Sequence, residues 1–230
     1  MRLDRRTFLA AGLGSLVAAR PARAQELTPG QYPLDLDKVR DGVLYIPKGY
    51  KAGVPMPLVV WFHGAGGSGL NTQYTWPIAD ELGFILLAPD SRDERTWDLV
   101  LGVYGPDVEF LMEAFRKVLG KCAVDRERLT VAGHSDGASY SLSFGITNGD
   151  VFKKVIALSP GVLSPADARG KPKVFIAHGT NDRTMPIDDT SRKFVPRLKG
   201  LGYDVTYQEY DGGHGAPPTI VRQAFDWWSR

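Results

Sequence analysis

From residue 41 to residue 230 the chain alternates two hydrophobic patterns. The first is a short, nearly unbroken apolar run, as in "PLVVWF" at 57–62, "FILLAP" at 84–89 and "VFIAH" at 174–178. Such runs fit strands buried on both faces of a parallel sheet. They predict strands over 42–46, 58–62, 84–89, 129–133, 154–158, 173–177 and 205–210. The second pattern places apolar residues three and four positions apart, which gives a helix one apolar face. It predicts helices over 107–119, 190–201 and 218–228, the last opening at Pro217-Pro218, a sequence suited to a helix start. Strands alternating with helices imply an α/β domain: a doubly wound, mostly parallel sheet with helices on both faces.

Residues 25–40, rich in Pro, Gly and charge, read as a lead-in segment. No repeat, low-complexity tract or linker interrupts 41–230, so this stretch is expected to be a single catalytic-size domain. The stretch from Ser159 to Lys173 is too short for a large lid domain. In such sheets ligands bind outside the carboxyl ends of the strands, so the loops that follow the strands are the place to look for chemistry.

The N-terminus, "MRLDRRTFLAAGLGSLVAARPARAQ", carries Arg5-Arg6, a mild apolar run over 10–19 and a small-x-small site at Ala22-Arg23-Ala24. It resembles a twin-arginine export signal cleaved near Ala24. Its apolar run is shorter than the roughly 20 residues that cross a bilayer, so no stable membrane span is expected. The resemblance implies export by the twin-arginine machinery and a periplasmic or secreted protein. Loss of residues 1–24 would remove five arginines and Asp4 and move the net charge from +2 to −2. Neither value suggests a nucleic-acid partner. Cys122 is the only cysteine, so no intramolecular disulfide can form, and it reads as a buried small hydrophobe.

Four loops follow predicted strands: His63–Gly69, His134–Gly137, His178–Asp182 and Asp211–Gly215. In the second, "VAGHSDGAS", Ser135 lies between two glycines, after an apolar strand and before a helix-compatible segment. That corner forces a sharp bend, and glycines at 133 and 137 avoid clashes with the neighbouring strand and helix. A serine hydroxyl needs a base, and the base an orienting carboxylate. His214 and Asp182 are the best candidates, with Asp188, Asp189 and Asp211 as alternatives for the acid. The order Ser, Asp, His is that of α/β hydrolases. Backbone amides at Asp136 and Ala65, or Gly66 in place of Ala65, would meet an oxyanion. Trp76, Trp97 and Tyr104 either line the pocket or belong to the core, and Met185 and Ile187, which follow the acid, are further pocket walls.

His63, His134 and His178 show no metal-ligand spacing and can satisfy local backbone groups instead. The glycine-rich first loop lacks the lysine of a phosphate-binding loop. No metal and no cofactor is therefore expected.

The motifs "WFHGAGGSG", "VDRERLTVAGHSDGA", "FIAHGTNDRTMPID" and "DGGHGAP" stand in order over roughly 41–230. Through them the chain resembles the α/β-hydrolase superfamily, and within it small serine esterases of the phospholipase/carboxylesterase and polyhydroxybutyrate-depolymerase type. The resemblance implies hydrolysis of a small-molecule or oligomeric ester through an acyl-enzyme. Matched motif by motif, it makes Ser135 the nucleophile, Asp182 the acid, His214 the base, and Ala65 and Asp136 the oxyanion donors. One departure is that polymer-degrading members often carry disulfides, which this chain cannot form. Lysophospholipid, thioester, feruloyl ester, polyhydroxyalkanoate and peptide bonds remain alternative targets on the same scaffold. A non-catalytic binding protein would be expected to have lost a triad residue.

Overall fold

The computed structural model describes residues 27–102 and 104–230. The export-like segment lies outside them. The strands are β1 (Gly30–Pro33), β2 (Gly42–Ile46), β3 (Met56–Phe62), β4 (Ile85–Pro89), β5 (Val124–His134), β6 (Lys154–Leu158), β7 (Lys173–Gly179) and β8 (Val205–Tyr210). The helices are α1 (Trp76–Leu82), α2 (Pro106–Lys121), α3 (Asp136–Thr147), α4 (Ser191–Gly200) and α5 (Pro218–Trp228). A 3-10 turn over Gly69–Thr75 precedes α1.

The strands form one sheet in the order β1-β2-β4-β3-β5-β6-β7-β8. The β1–β2 and β2–β4 pairs are antiparallel, and all later pairs are parallel. The period-two alternation of each strand divides its apolar residues between two cores. Leu58, Val60 and Phe62 of β3 join Val131, Val155, Val174 and Ile176 on one face, under α2, α3 and α4. Val59 and Trp61 join Leu86, Ala132, Ile156 and Phe175 on the other, under α1 and α5. Both faces are thus covered, which is why these runs are apolar throughout. This is the doubly wound α/β-hydrolase fold.

β3 has β4 on one side and β5 on the other, so the connections leaving β3 and β5 diverge at their carboxyl ends. Crevices form at such switch points. Here the first loop and Ser135 meet.

The connection 159–172 stays open and contains no helix. A row of hydroxyls one turn apart on α3 holds it. Ser139 Oγ accepts from the Gly161 and Val162 N–H, Ser143 Oγ from Ser164 N–H, and Thr147 Oγ1 from Ala166 N–H. Backbone donors that a lid helix would have satisfied are satisfied this way instead.

Two elements escape the hydrophobic pattern. β1, within the lead-in stretch, is a short edge strand with no apolar run, and it exists through its pairing with β2. α1 is too short to show a period, and begins with Pro77 in its first turn. β5 also starts earlier than its apolar core, since "VDRER" is charged and half-exposed. Among the described residues no helix is long and apolar enough to cross a membrane.

Candidate active site

Ser135 occupies the step between β5 and α3 with φ 58° and ψ −123°. A positive φ is costly for a residue with a Cβ and persists only where surroundings impose it. Here packing imposes it. A Cβ on Gly133 would lie 2.4 Å from the Gly137 carbonyl oxygen, and one on Gly137 would lie 2.1 Å from that of Phe62. Glycine at both positions lets α3 start directly against β3. Ser135 N–H is fixed by the Leu158 carbonyl at 2.9 Å.

The four strand-end loops converge on this serine. Ser135 Oγ–H donates to His214 Nε2 at 2.7 Å, and His214 Nδ1–H donates to Asp182 Oδ2 at 2.7 Å. Asp182 is buried, and its Oδ1 accepts the Thr184 and Met185 N–H at 2.9 and 2.8 Å. Burial works to raise its carboxyl, but the Met185 amide and the His214 contact outweigh it and hold it below the usual range. The carboxylate therefore stays ionised against the imidazole, the arrangement in which a histidine can accept a hydroxyl proton. The alternative acids are engaged elsewhere: Asp188 with Arg192, Asp189 with Lys193, and Asp211 with Asn181 Nδ2.

The first loop lies beside the serine, a Cβ on Gly64 being 3.4 Å from Ser135 Cβ. Gly66 N–H is committed to the Arg95 carbonyl at 2.7 Å, which withdraws it as an oxyanion donor. Ala65, between Gly64 and Gly66 in the chain, is exposed. Asp136 opens α3, where a first-turn N–H has no partner within the helix. Its side chain is buried and accepts Thr96 Oγ1–H.

The other three histidines each hold a loop of the site. His63 Nδ1–H donates to the Gly64 carbonyl, while its Nε2 accepts Ser91 N–H. His134 Nε2–H donates to the His214 carbonyl at 2.7 Å. His178 Nε2 faces Asp182 Oδ2 at 3.0 Å and the Met185 carbonyl at 2.8 Å. Burial pushes all three rings below the ordinary histidine pKa.

The candidate pocket residues separate. Met185 is half-buried, and its sulfur lies over Gly161 beside the site. Trp97 lies in the core, packed on Phe62 and Tyr140, because its indole N–H finds a buried acceptor in the His63 carbonyl. Ile187 is also buried. Trp76, half-buried, stacks on Tyr45 at 4.6 Å against the core on the α1–α5 face. Thr96 was not singled out in the sequence, and His178 only as a histidine able to satisfy local backbone groups. His178 had a signal in its four-residue spacing to Asp182 across a strand end. Thr96, in an irregular segment after β4, had none.

No protein-family model matches the chain. It is similar to a probable feruloyl esterase C of Aspergillus terreus, 26% identical over 245 residues, covering 89% of this chain and 88% of the relative. It is 33% identical over 102 residues to an acyl-protein thioesterase 1 of Gibberella zeae, covering 40% and 43%. A fluorophosphonate-binding serine hydrolase F of Staphylococcus aureus superposes with TM-score 0.70 at 15% identity, over 89% of this chain and all of that one. Fold and site define an α/β hydrolase centred on a serine. Together with these relatives they support ester hydrolysis by a serine hydrolase.

Proposed function

We propose that Ser135, His214 and Asp182 are the catalytic triad of this esterase, with the amides of Ala65 and Asp136 as its oxyanion hole. His214 Nε2 takes the Ser135 proton as Oγ bonds to the ester carbonyl carbon. The carbonyl oxygen becomes an oxyanion facing the two amides, each donor of this kind being worth about 10²–10³ in kcat. Collapse breaks the bond to the alcohol, which leaves with the proton from His214. Water then gives a proton to His214, attacks the acyl carbon, and releases the acid as the proton returns to Ser135.

The observation that carries the reading is the continuous Ser135–His214–Asp182 hydrogen-bond chain, 2.7 Å at both links. Among substrates, aromatic carboxylic esters of the feruloyl class fit best, since the relative matched along most of the chain is a probable feruloyl esterase. The connection 159–172, free of helix, suits such extended substrates better than a deeply enclosed acyl chain. The thioesterase match over 102 residues supports a second reading, an acyl thioester as target. The twin-arginine pattern at residues 5–6 and the site before Gln25 support export with cleavage near Ala24.

The test is a panel of methyl ferulate, short and long nitrophenyl esters and an acyl thioester, run on wild type and Ser135→Ala. Mass spectrometry after fluorophosphonate treatment adds the modified residue and the mature N-terminus. Activity on methyl ferulate, lost in Ser135→Ala together with the label, is expected. Full activity in Ser135→Ala would overturn the mechanism, and preference for the thioester would overturn the substrate class.

A further inference from the structure

We propose that His178 is a positioning residue of this reaction. Its Nε2–H, shared with the Met185 carbonyl, holds the Asp182 carboxylate in the orientation that receives His214. The proposal rests on the triad reading above.

The protonation of the ring follows from its partners. Both groups facing His178 Nε2, Asp182 Oδ2 and the Met185 carbonyl, are acceptors, so Nε2 carries a hydrogen. Burial disfavours the charged ring, which leaves Nδ1 as an acceptor. The group facing Nδ1 is the Ser191 hydroxyl, 2.7 Å away at the first residue of α4. Ser191 is fully buried. A second Ser–His–Asp set thus shares the acid of the first, but its serine cannot reach a substrate, so its work is done through Asp182.

That work is geometric and electrostatic. Asp182 receives two amides on Oδ1 and two imidazole N–H groups on Oδ2. Two of the four donors come from the β7–α4 connection and a third from the end of β7, which fixes the carboxylate's rotation before His214 engages. Without His178, Oδ2 would be held by His214 alone and the pair could move together. The second donor also shares the charge on Oδ2. Its removal strengthens the hold of Asp182 on a protonated His214 and moves the acid limb of the rate profile to higher pH.

The test measures kcat and KM for 4-nitrophenyl acetate across pH 5–9, per fluorophosphonate-titratable site, in His178→Leu, His178→Gln and Ser191→Ala. His178→Leu is expected to lower kcat about 10–100-fold, the scale of a small misplacement of a catalytic group, with KM little changed and the acid limb shifted upward. His178→Gln, which restores an N–H, should recover most of the rate. Ser191→Ala, which removes the hydroxyl facing Nδ1 and leaves Nε2–H on its two acceptors, should cost less than His178→Leu. Wild-type kcat per site with an unmoved profile in His178→Leu would overturn the proposal. If that variant does not fold, wild-type kcat per site with an unmoved profile in His178→Phe, which keeps a ring and lacks the donor, overturns it instead. Full activity in Asp182→Asn would sink the triad reading itself, a separate outcome.

Discussion

Thr96 Oγ1 donates to Asp136 Oδ2 at 2.5 Å, tying the segment after β4 to the first turn of α3. The same segment gives its Arg95 carbonyl to Gly66 N–H and its Trp97 indole to the His63 carbonyl. Three consecutive residues therefore brace the glycine loop and the serine corner against each other. Asp136 thus contributes more than an amide. Asp136→Ala leaves the buried Thr96 hydroxyl unpaired, a cost of about 1–3 kcal/mol, and loosens the brace, but keeps the backbone N–H. The expected order of activity loss on 4-nitrophenyl acetate is Ser135→Ala far above Asp136→Ala, with Asp136→Asn smallest because it keeps an acceptor. Equal losses in Ser135→Ala and Asp136→Ala would show that the carboxylate takes part in the chemistry.

The serine corner predicts a sharp contrast between two glycines. A Cβ on Gly137 meets the Phe62 and His63 carbonyl oxygens at 2.1 and 2.5 Å, and backbone cannot yield cheaply. Gly200, at the end of α4, has nothing within 4 Å of the same construction. Gly137→Ala is expected to destabilise by about 3 kcal/mol or more, the upper range of overpacking. Gly200→Ala should be neutral or stabilise by about 0.5–1 kcal/mol through helix propensity. Urea unfolding of both variants checks this, and a mild Gly137→Ala would mean that α3 can back away from β3.

How much of this was legible depended on whether the cause was local. β2, β6, β8 and α5 take the bounds their patterns suggest, because a buried strand or an amphipathic helix writes its environment into consecutive residues. The meeting of Ser135, Asp182 and His214 was legible because each lies past a strand end and the fold brings strand ends together. β1 was not, since an edge strand is defined by its partner. Neither was the Thr96–Asp136 bond, which joins residues 40 apart through an irregular segment. Trp97 was ambiguous for the same reason: an indole in a loop reads alike whether its N–H ends at a substrate or at the His63 carbonyl.

His63, His134 and His178 sit at similar places, at the carboxyl ends of β3, β5 and β7, and each spends its ring on a loop of the site. For His134 the object is the His214 carbonyl. His134→Phe keeps the bulk and deletes the donor, so the base loses its anchor. A loss of about 10–100-fold in kcat is expected, the penalty of misplacing a catalytic group by about an ångström, with KM for a small ester nearly constant. His134→Gln should restore part of the rate. A purely structural role would instead lower the titratable site count and leave kcat per site unchanged.

The base of the Arg95–Trp97 brace is a pair of buried carboxylates. Asp98 Oδ2 accepts the Gly105 and Asp107 N–H, and Asp107 Oδ2 accepts Asp98 N–H. Asp98 Oδ1 is buried with no hydrogen-bond partner. Burial, with the charge of Asp107 beside it, pushes the Asp98 carboxyl up to about 6. Its value in the unfolded chain is about 3.9, so between the two the folded protein binds the extra proton. By linkage, stability from this group is complete below the unfolded value and is lost as pH rises through about 6. At pH 8 the fold carries the full penalty of a poorly solvated charge, about 1–3 kcal/mol for a shift of this size. Asp98→Asn removes the charge while keeping an acceptor for Gly105 and Asp107. It should raise the urea midpoint at pH 8, and the gain over wild type should vanish by about pH 4, where Asp98 is already neutral. A gain of the same size at both pH values would assign the effect to packing and not to the charge.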